Sequence, residues 1–415
     1  MRGLLARRGV AFASAAIRLI TQRNPLYAVA MYKPPIQQWM STLKAYERHI
    51  SAAAMLGGFG FDFFAYGRVD HAVTQTLLIV YLGVAAFSIA LLHWLEAHQE
   101  WESTFVAKLR AYLPALTQFV LGSLWSAFLV FYARSGVLAG SWPFLLILCA
   151  IFVGNEVFKR YHARLIFTTT LFFFALISYC AFMLPVFTKS IGVAMFLASG
   201  VVAVAVFAGF LWLLSKLSRS RLGEVKWQIG GSAVAVYALV TGLYFLDVLP
   251  PLPLAMQQTG VYHSICRVPA RGAIRCVGTK PDKGMARARS IYYLAAEEPR
   301  SLLGSVVSRR TVHVEPGMPV IVFGAVFAPV DLNTTTYYVW RRYDDTKGDW
   351  ETVQRLTNNL RGGRDKGYRN YSYKNNVDPG LWRVDVESVD GRLIGRTEFN
   401  VVNAPAPSDL KIVRL

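Results

Sequence analysis

Between Arg361 and Lys374 the chain sets Arg361, Arg364, Lys366, Arg369 and Lys374 against one acid, Asp365, and interleaves Tyr368, Tyr371 and Tyr373. Guanidinium forks take carboxylate or phosphate oxygens two at a time, and tyrosine rings offer flat faces to sugars. Gly362, Gly363 and Gly367 would let a ligand approach the backbone closely. A plainer account fits the same residues: a Gly-rich connection, then a strand with a solvated basic face and inward-packed tyrosines. Both accounts stand at the level of sequence.

A second set of groups is acidic and lies in or beside apolar stretches: Asp62, Glu156 and Asp247, with Arg68 and Asp70 close to the first of them. Carboxylates in a membrane are costly, so they mark either a proton or ion pathway or ion pairs that fix helix packing near an interface. The pairing account is favoured. Asp62 and Asp247 fall within a turn or two of one membrane surface and are expected to approach Arg68. Glu156 precedes Lys159 and Arg160 by the spacing of a helical ion pair.

Other chemistry is sparsely represented. His93 and His98 are five residues apart, which does not match the spacing of a helical zinc pair. There is no Gly-rich phosphate loop, nucleophile elbow or zinc-ligand set, so no catalytic residue, metal or cofactor is expected. Glu297 and Glu298 precede Pro299 without an evident partner in the sequence.

The elements that position these groups follow from composition. With 54% hydrophobic and 17% charged residues, and a mean hydropathy of +0.35, the 415-residue chain is too apolar for an ordinary soluble protein. Seven apolar blocks, at 49–66, 73–95, 113–133, 142–157, 165–186, 191–214 and 228–249, are each near the ~20 residues that a bilayer requires. The fourth is the shortest. When the connections are assigned alternately to two sides, one side receives seventeen Lys/Arg and the other only Arg68, Arg134 and Lys189. Cationic loops stay in the cytoplasm, so the N-terminus is expected inside and the part after Asp247 outside. That placement also makes nucleic acid an unexpected partner for the basic stretch.

Residues 1–48 are basic. From Pro35, Ile36, Trp39, Met40, Leu43 and Tyr46 recur at helical spacing, as in an amphipathic helix on the cytoplasmic interface. No secretory signal pattern is present; an Arg-rich, acid-poor start also fits an organellar transit peptide, the lesser reading. After the proline-rich run at 250–253, residues 250–309 read as a connecting segment. Within it Cys266 and Cys276 flank a Pro/Gly-containing turn where a hairpin could join the sulfurs, an arrangement that persists outside the cytoplasm; two reduced thiols are the alternative. Cys149 and Cys180 lie in apolar blocks as small core residues.

From 310 to 403 the period is two. Extended runs are expected at 311–314, 320–327, 335–343, 381–389 and 392–402. In the fourth, Trp382, Val384 and Val386 point one way and Arg383, Asp385 and Glu387 the other, and Asp390-Gly391 turns the chain into the last run. Short alternating strands indicate an immunoglobulin-like antiparallel β-sandwich behind an α-helical polytopic bundle. Residues 404–415 form the tail, whose start, 404–408, is expected to be extended and loose.

Several motifs resemble a known family: Pro250-Pro-Leu-Pro-Leu254 with Gly260-Val-Tyr-His-Ser264, then Phe327-Ala-Pro329, Trp340, the run from Gly362 to Lys374, Pro379-Gly-Leu-Trp-Arg-Val384, and Ile394-Gly395 with Phe399-Asn-Val401. Together they resemble the bacterial domain of unknown function numbered 2914. Gly57-Gly-Phe-Gly-Phe-Asp62, Gly67-Arg-Val-Asp70 and Gly154-Asn-Glu156 are similar to the multi-spanning region that precedes it in some members. The resemblance implies a fold and an inner-membrane location and carries no activity. Two functions fit: a non-enzymatic envelope protein whose outer sandwich binds a glycan, an anionic polymer or a protein; or a transporter or lipid-processing enzyme working through the helices. A polar cavity at mid-membrane depth would favour the second and a dry bundle the first.

Overall fold

A computed structural model describes residues 56–64, 66, 69–98, 103–135, 138–158, 161, 164–251, 253–268, 273–278, 291–297, 310–407 and 410–414. The amphipathic helix expected after Pro35 lies outside the described residues. Residues 56–64 are helical. Six further helices follow: α1 Ala72–Ala97, α2 Thr104–Ser135, α3 Leu138–Val157, α4 Leu165–Thr188, α5 Val193–Leu217 and α6 Arg219–Phe245. Five of them are long and apolar enough to cross a bilayer, while the apolar part of α3, 141–157, is shorter, as its sequence foretold.

Aromatic rings fill the space between the helices. Trp125 and Phe128 of α2 meet Phe174 and Phe182 of α4 edge to face, and Tyr132 packs on Phe144 of α3 at 4.8 Å between centroids. Trp125, Phe128, Tyr132, Phe144 and Phe182 are all fully buried. Offset aromatic pairs contribute about 0.5–1.5 kcal/mol each beyond their burial, so these contacts help to hold the helices together.

Among the described residues, the rest of the chain forms twelve strands in three sheets. The central sheet is β1 (Ala255–Tyr262), β6 (Val320–Phe327) and β9 (Tyr368–Lys374), in the order β1-β6-β9. On one side lies the five-stranded sheet β5-β11-β10-β7-β8, made of β5 (Arg310–Val314), β7 (Asn333–Asp344), β8 (Asp349–Arg361), β10 (Gly380–Glu387) and β11 (Leu393–Asn403). On the other lies β12-β4-β2-β3, from β2 (Ser264–Val268), β3 (Arg275–Val277), β4 (Ile291–Ala296) and β12 (Lys411–Arg414). All pairs are antiparallel except β5 with β11.

β6 explains the layering. Val320, Val322 and Val326 pack on Tyr338, Trp340, Trp382 and Phe399 of the five-stranded sheet, while Ile321, Phe323 and Ala325 pack on Ile265 and Leu294 of the four-stranded one. A strand covered on both faces must be apolar throughout, which is why 320–327 reads as an unbroken run. Residues 255–296, read from sequence as a connection with one hairpin, supply β1 to β4, and β12, in the tail beyond 404–408, pairs with β4.

The helices and sheets meet at one end of the bundle. Asp70, before α1, accepts a hydrogen bond from the Val330 backbone at 3.0 Å; Lys189, after α4, reaches Asp331 at 2.7 Å; and Arg392 reaches the end of α6. The starts of α1 and α5 and the ends of α4 and α6 therefore lie beside the strands.

Candidate functional site

The stretch from Arg361 to Lys374 is the end of β8, a turn, and β9. Its glycines serve the fold more than a ligand: a Cβ on Gly362 would meet the Pro329 carbonyl oxygen at 1.8 Å, and Gly367, at φ +77°, abuts the backbone of Ala325 and Val326. The tyrosines divide. Tyr368 packs on the core between the central and five-stranded sheets, Tyr371 on the opposite core, and Tyr373 is exposed. Ser372 is buried and accepts a hydrogen bond from Trp340 Nε1 at 2.7 Å, anchoring β9 from inside.

The cations are left over. Arg361, Arg364 and Lys366 are exposed, Arg369 and Lys374 half-buried. Arg364 lies over the Tyr368 ring at 4.9 Å. Among the described residues none of these five makes an ion pair.

The outward face of the five-stranded sheet is the reverse case. Asp385 of β10, with its side chain 1% exposed, is held by Arg396 Nε at 2.7 Å, by Arg383 Nε at 3.2 Å and by Arg341. Arg341 also donates to Glu387 at 2.7 Å, and Arg355 stands 3.8 Å from the same carboxylate. Arg383 stacks over Trp350 at 4.3 Å and Arg355 over Tyr337 at 4.1 Å. The alternation of β10 is as the sequence indicated, with Trp382, Val384 and Val386 in the core.

Near the helix ends, Asp62 accepts a hydrogen bond from Ser126 at 2.6 Å, and Arg134 donates to the backbone carbonyls of Phe63 and Tyr66. Arg68, the expected partner of Asp62 and Asp247, lies outside the described residues. Among the described residues, Arg392 stands 3.7 Å from Asp247. Glu156 accepts from Gln118 Nε2 at 3.0 Å, and Asn155 donates to the Gln118 carbonyl at 3.0 Å; Lys159 and Arg160 lie outside the described residues.

Three groups escaped the sequence reading. Arg392, 6% exposed, donates to the carbonyls of Leu249, at 3.1 Å, and of Tyr244, and lies 3.3 Å over the Tyr244 ring, which itself stacks on Phe196 at 3.7 Å. A cavity of about 40 Å³ opens beside it, lined also by Pro250, Pro251, Ser388 and Asp390. Second, Glu297 does have partners: His263 Nε2 at 2.7 Å, His313 Nδ1 at 2.8 Å and the His313 backbone N–H at 2.7 Å. Burial pushes the Glu297 carboxyl up, but the donors from His313 and His263 outweigh it and hold it below the ordinary carboxylate range. Third, Arg267 and Tyr292 come beside Tyr371.

Cys266 and Cys276 are bonded across β2 and β3. Among the described residues no group of three or more His, Cys, Asp or Glu is placed to hold a metal ion.

Residues 333–401, from the start of β7 into β11, match the family described as "Protein of unknown function (DUF2914)". No curated protein matches the chain. Among solved structures, β-glucosidase from Listeria innocua in complex with glucose is similar at 12% identity over 23% of this chain and 15% of that chain, with a TM-score of 0.17. Alkylpurine DNA glycosylase AlkC from Pseudomonas fluorescens, bound to DNA containing an abasic site analog, is similar at 11% identity over 80% of this chain and 99% of that chain, with a TM-score of 0.19. This chain spans about 15% of the length of that β-glucosidase. Scores at that level establish no shared fold.

Proposed function

We propose that the chain is a non-enzymatic membrane protein of the bacterial envelope. In this reading its helices lie in the inner membrane with the N-terminus cytoplasmic, and its strands lie outside, where the surface from Arg361 to Lys374 recognises an anionic partner: a glycan, an envelope polymer or a protein. The observation that carries it is the contrast between two cationic surfaces. Around Asp385 each arginine is matched by a carboxylate, whereas the five cations of 361–374 have none among the described residues. Cations left unmatched beside tyrosines form a surface that gains by receiving anions.

The sidedness rests on two supports. Lys108, Arg110, Arg164, Lys216 and Lys226 belong to the helix ends remote from the strands, as cationic cytoplasmic ends require. The Cys266–Cys276 bond suits an oxidising compartment. The aromatic packing between α2 and α4 is that of an anchor rather than of a polar pathway.

One observation favours the competing reading of transport or lipid processing: an apolar groove of about 380 Å³ between α1 and α5, lined by Phe87, Leu91, Trp94, Phe210 and Leu213. A volume of this size suits an acyl chain. The readings separate in one experiment, binding of acidic polysaccharide to the full-length protein in nanodiscs at rising salt. The binding reading expects salt-sensitive affinity that is lost with Arg364→Ala/Arg369→Ala; transport or lipid processing expects neither.

A further inference from the structure

The face of the four-stranded sheet that packs on the central sheet is apolar along most of its length and cationic at one margin. Ile265 of β2 stands opposite Val277 of β3 and Leu294 of β4, and all three pack toward Ile321 and Phe323. Two residues along each strand, and therefore on the same face, stand Arg267, Arg275 and Tyr292, with Arg267 paired to Arg275 on one side and to Tyr292 on the other. Both arginines are exposed.

The central sheet supplies the facing wall. Arg369, Tyr371 and Tyr373 of β9 pair with Ala325, Phe323 and Ile321, the residues of β6 turned toward the four-stranded sheet. The Arg267 guanidinium lies 6.0 Å from the Tyr292 ring centroid, and that ring lies 6.3 Å from Phe323. The Tyr371 hydroxyl is raised in pKa first by burial, then by the hydroxyls of Tyr292 and Tyr373, with Arg267 opposing, so these groups share one margin. Among the described residues Arg267, Arg275 and Arg369 make no ion pair.

Like charges directly opposite on neighbouring strands destabilise a sheet. Here the adjacent disulfide, Cys266 to Cys276, pins β2 to β3 and holds Arg267 and Arg275 in register as a cross-strand pair. An anion between them would relieve the repulsion.

We propose that this margin is a subsite for an acidic sugar: Arg267 and Arg275 take the carboxylate of a uronic-acid unit, and Tyr292 and Tyr371 receive the face of its ring. The inference rests on reading Arg361–Lys374 as a ligand surface and extends that surface from β9 to the disulfide hairpin. Sugar is favoured over polyphosphate or an acidic peptide because the tyrosines match a ring that carries both C–H faces and a charge.

The test is titration calorimetry on the full-length protein in nanodiscs with an oligogalacturonide, beside a neutral cello-oligosaccharide and polyphosphate. Arg267→Gln/Arg275→Gln should weaken oligogalacturonide binding by about tenfold, as expected for loss of a bidentate carboxylate contact. Arg275→Gln alone should weaken binding while raising Tm, because it removes the like-charge pair; a purely structural arginine would lower Tm. If the double variant binds as tightly as wild type while Arg361→Ala/Lys366→Ala loses binding, the subsite is refuted and the β9 surface stands. If wild type binds no oligogalacturonide, or binds polyphosphate or the neutral sugar equally well, the acidic-sugar assignment is overturned; binding of polyphosphate alone still leaves the wider cationic, anion-binding surface intact.

Discussion

Two arginine-rich surfaces of the β-structure differ in what surrounds the charge. On the outward face of the five-stranded sheet, Arg341, Arg383 and Arg396 converge on one fully buried carboxylate, and the guanidiniums are shared with Glu387 and stacked on Trp350. On the turn and strand from Arg361 to Lys374, a similar density of cations, exposed at Arg361, Arg364 and Lys366 and half-buried at Arg369 and Lys374, stands beside a single acid. The first arrangement is closed on itself and serves stability; the second is open. Composition alone cannot separate them, because what matters is whether carboxylates come from neighbouring strands.

The comparison can be broken from either side. Removing the carboxylate from the closed network should have the largest effect, since it strands three partly buried guanidiniums. Asp385→Asn is expected to lower stability by about 3 kcal/mol, read by denaturant unfolding in detergent, with ligand binding retained by the folded fraction. Arg392→Ala should follow at about 2 kcal/mol, because the carbonyls of Leu249 and Tyr244 lose their donor where strands meet helices.

Glu297 gives a pH-dependent case. Its carboxyl lies below the usual 4.5 in the folded protein, so it contributes stability that is fully present above that pH and is lost as pH falls through the lower, folded value. Tm of wild type should therefore decline on acidification below about pH 4.5, and Glu297→Gln should flatten that limb while lowering Tm at neutral pH. Equal acid slopes in the two proteins would contradict the assignment. Smallest of all, Lys189→Ala, which opens an exposed pair with Asp331, should leave Tm unchanged within error.

How much was legible follows from the same physics. The apolar helices were legible because long, continuous apolar runs mark them in the sequence. β10 was legible from its alternation, and β6 from its unbroken apolar run. β8 was not: it is an edge strand, exposed along most of its length, so no apolar rhythm marks it. The partners of Glu297 lie 34 and 16 residues away and meet only when β4 and β5 bring them together, and Arg392 is a single cation in a turn whose partners are backbone carbonyls of α6 and of the residues after it. Residue type gave no signal in either case. The cations and tyrosines of 361–374 were visible in the sequence, and inward-packed tyrosines were one of its two accounts, but the role of Gly362 and the division of Tyr368 and Tyr371 between two cores required the packing.

The most direct measurement is the salt dependence of acidic-polysaccharide affinity for the full-length protein in nanodiscs, taken for wild type and for Arg364→Ala/Arg369→Ala. The account predicts wild-type affinity that falls as salt screens the contacts, and a double variant that loses most of that affinity with Tm shifted by less than about 0.5 kcal/mol equivalent, as for surface substitutions. A double variant that unfolds, or a wild type with no salt-sensitive binding, would place these arginines with those around Asp385, as parts of the fold.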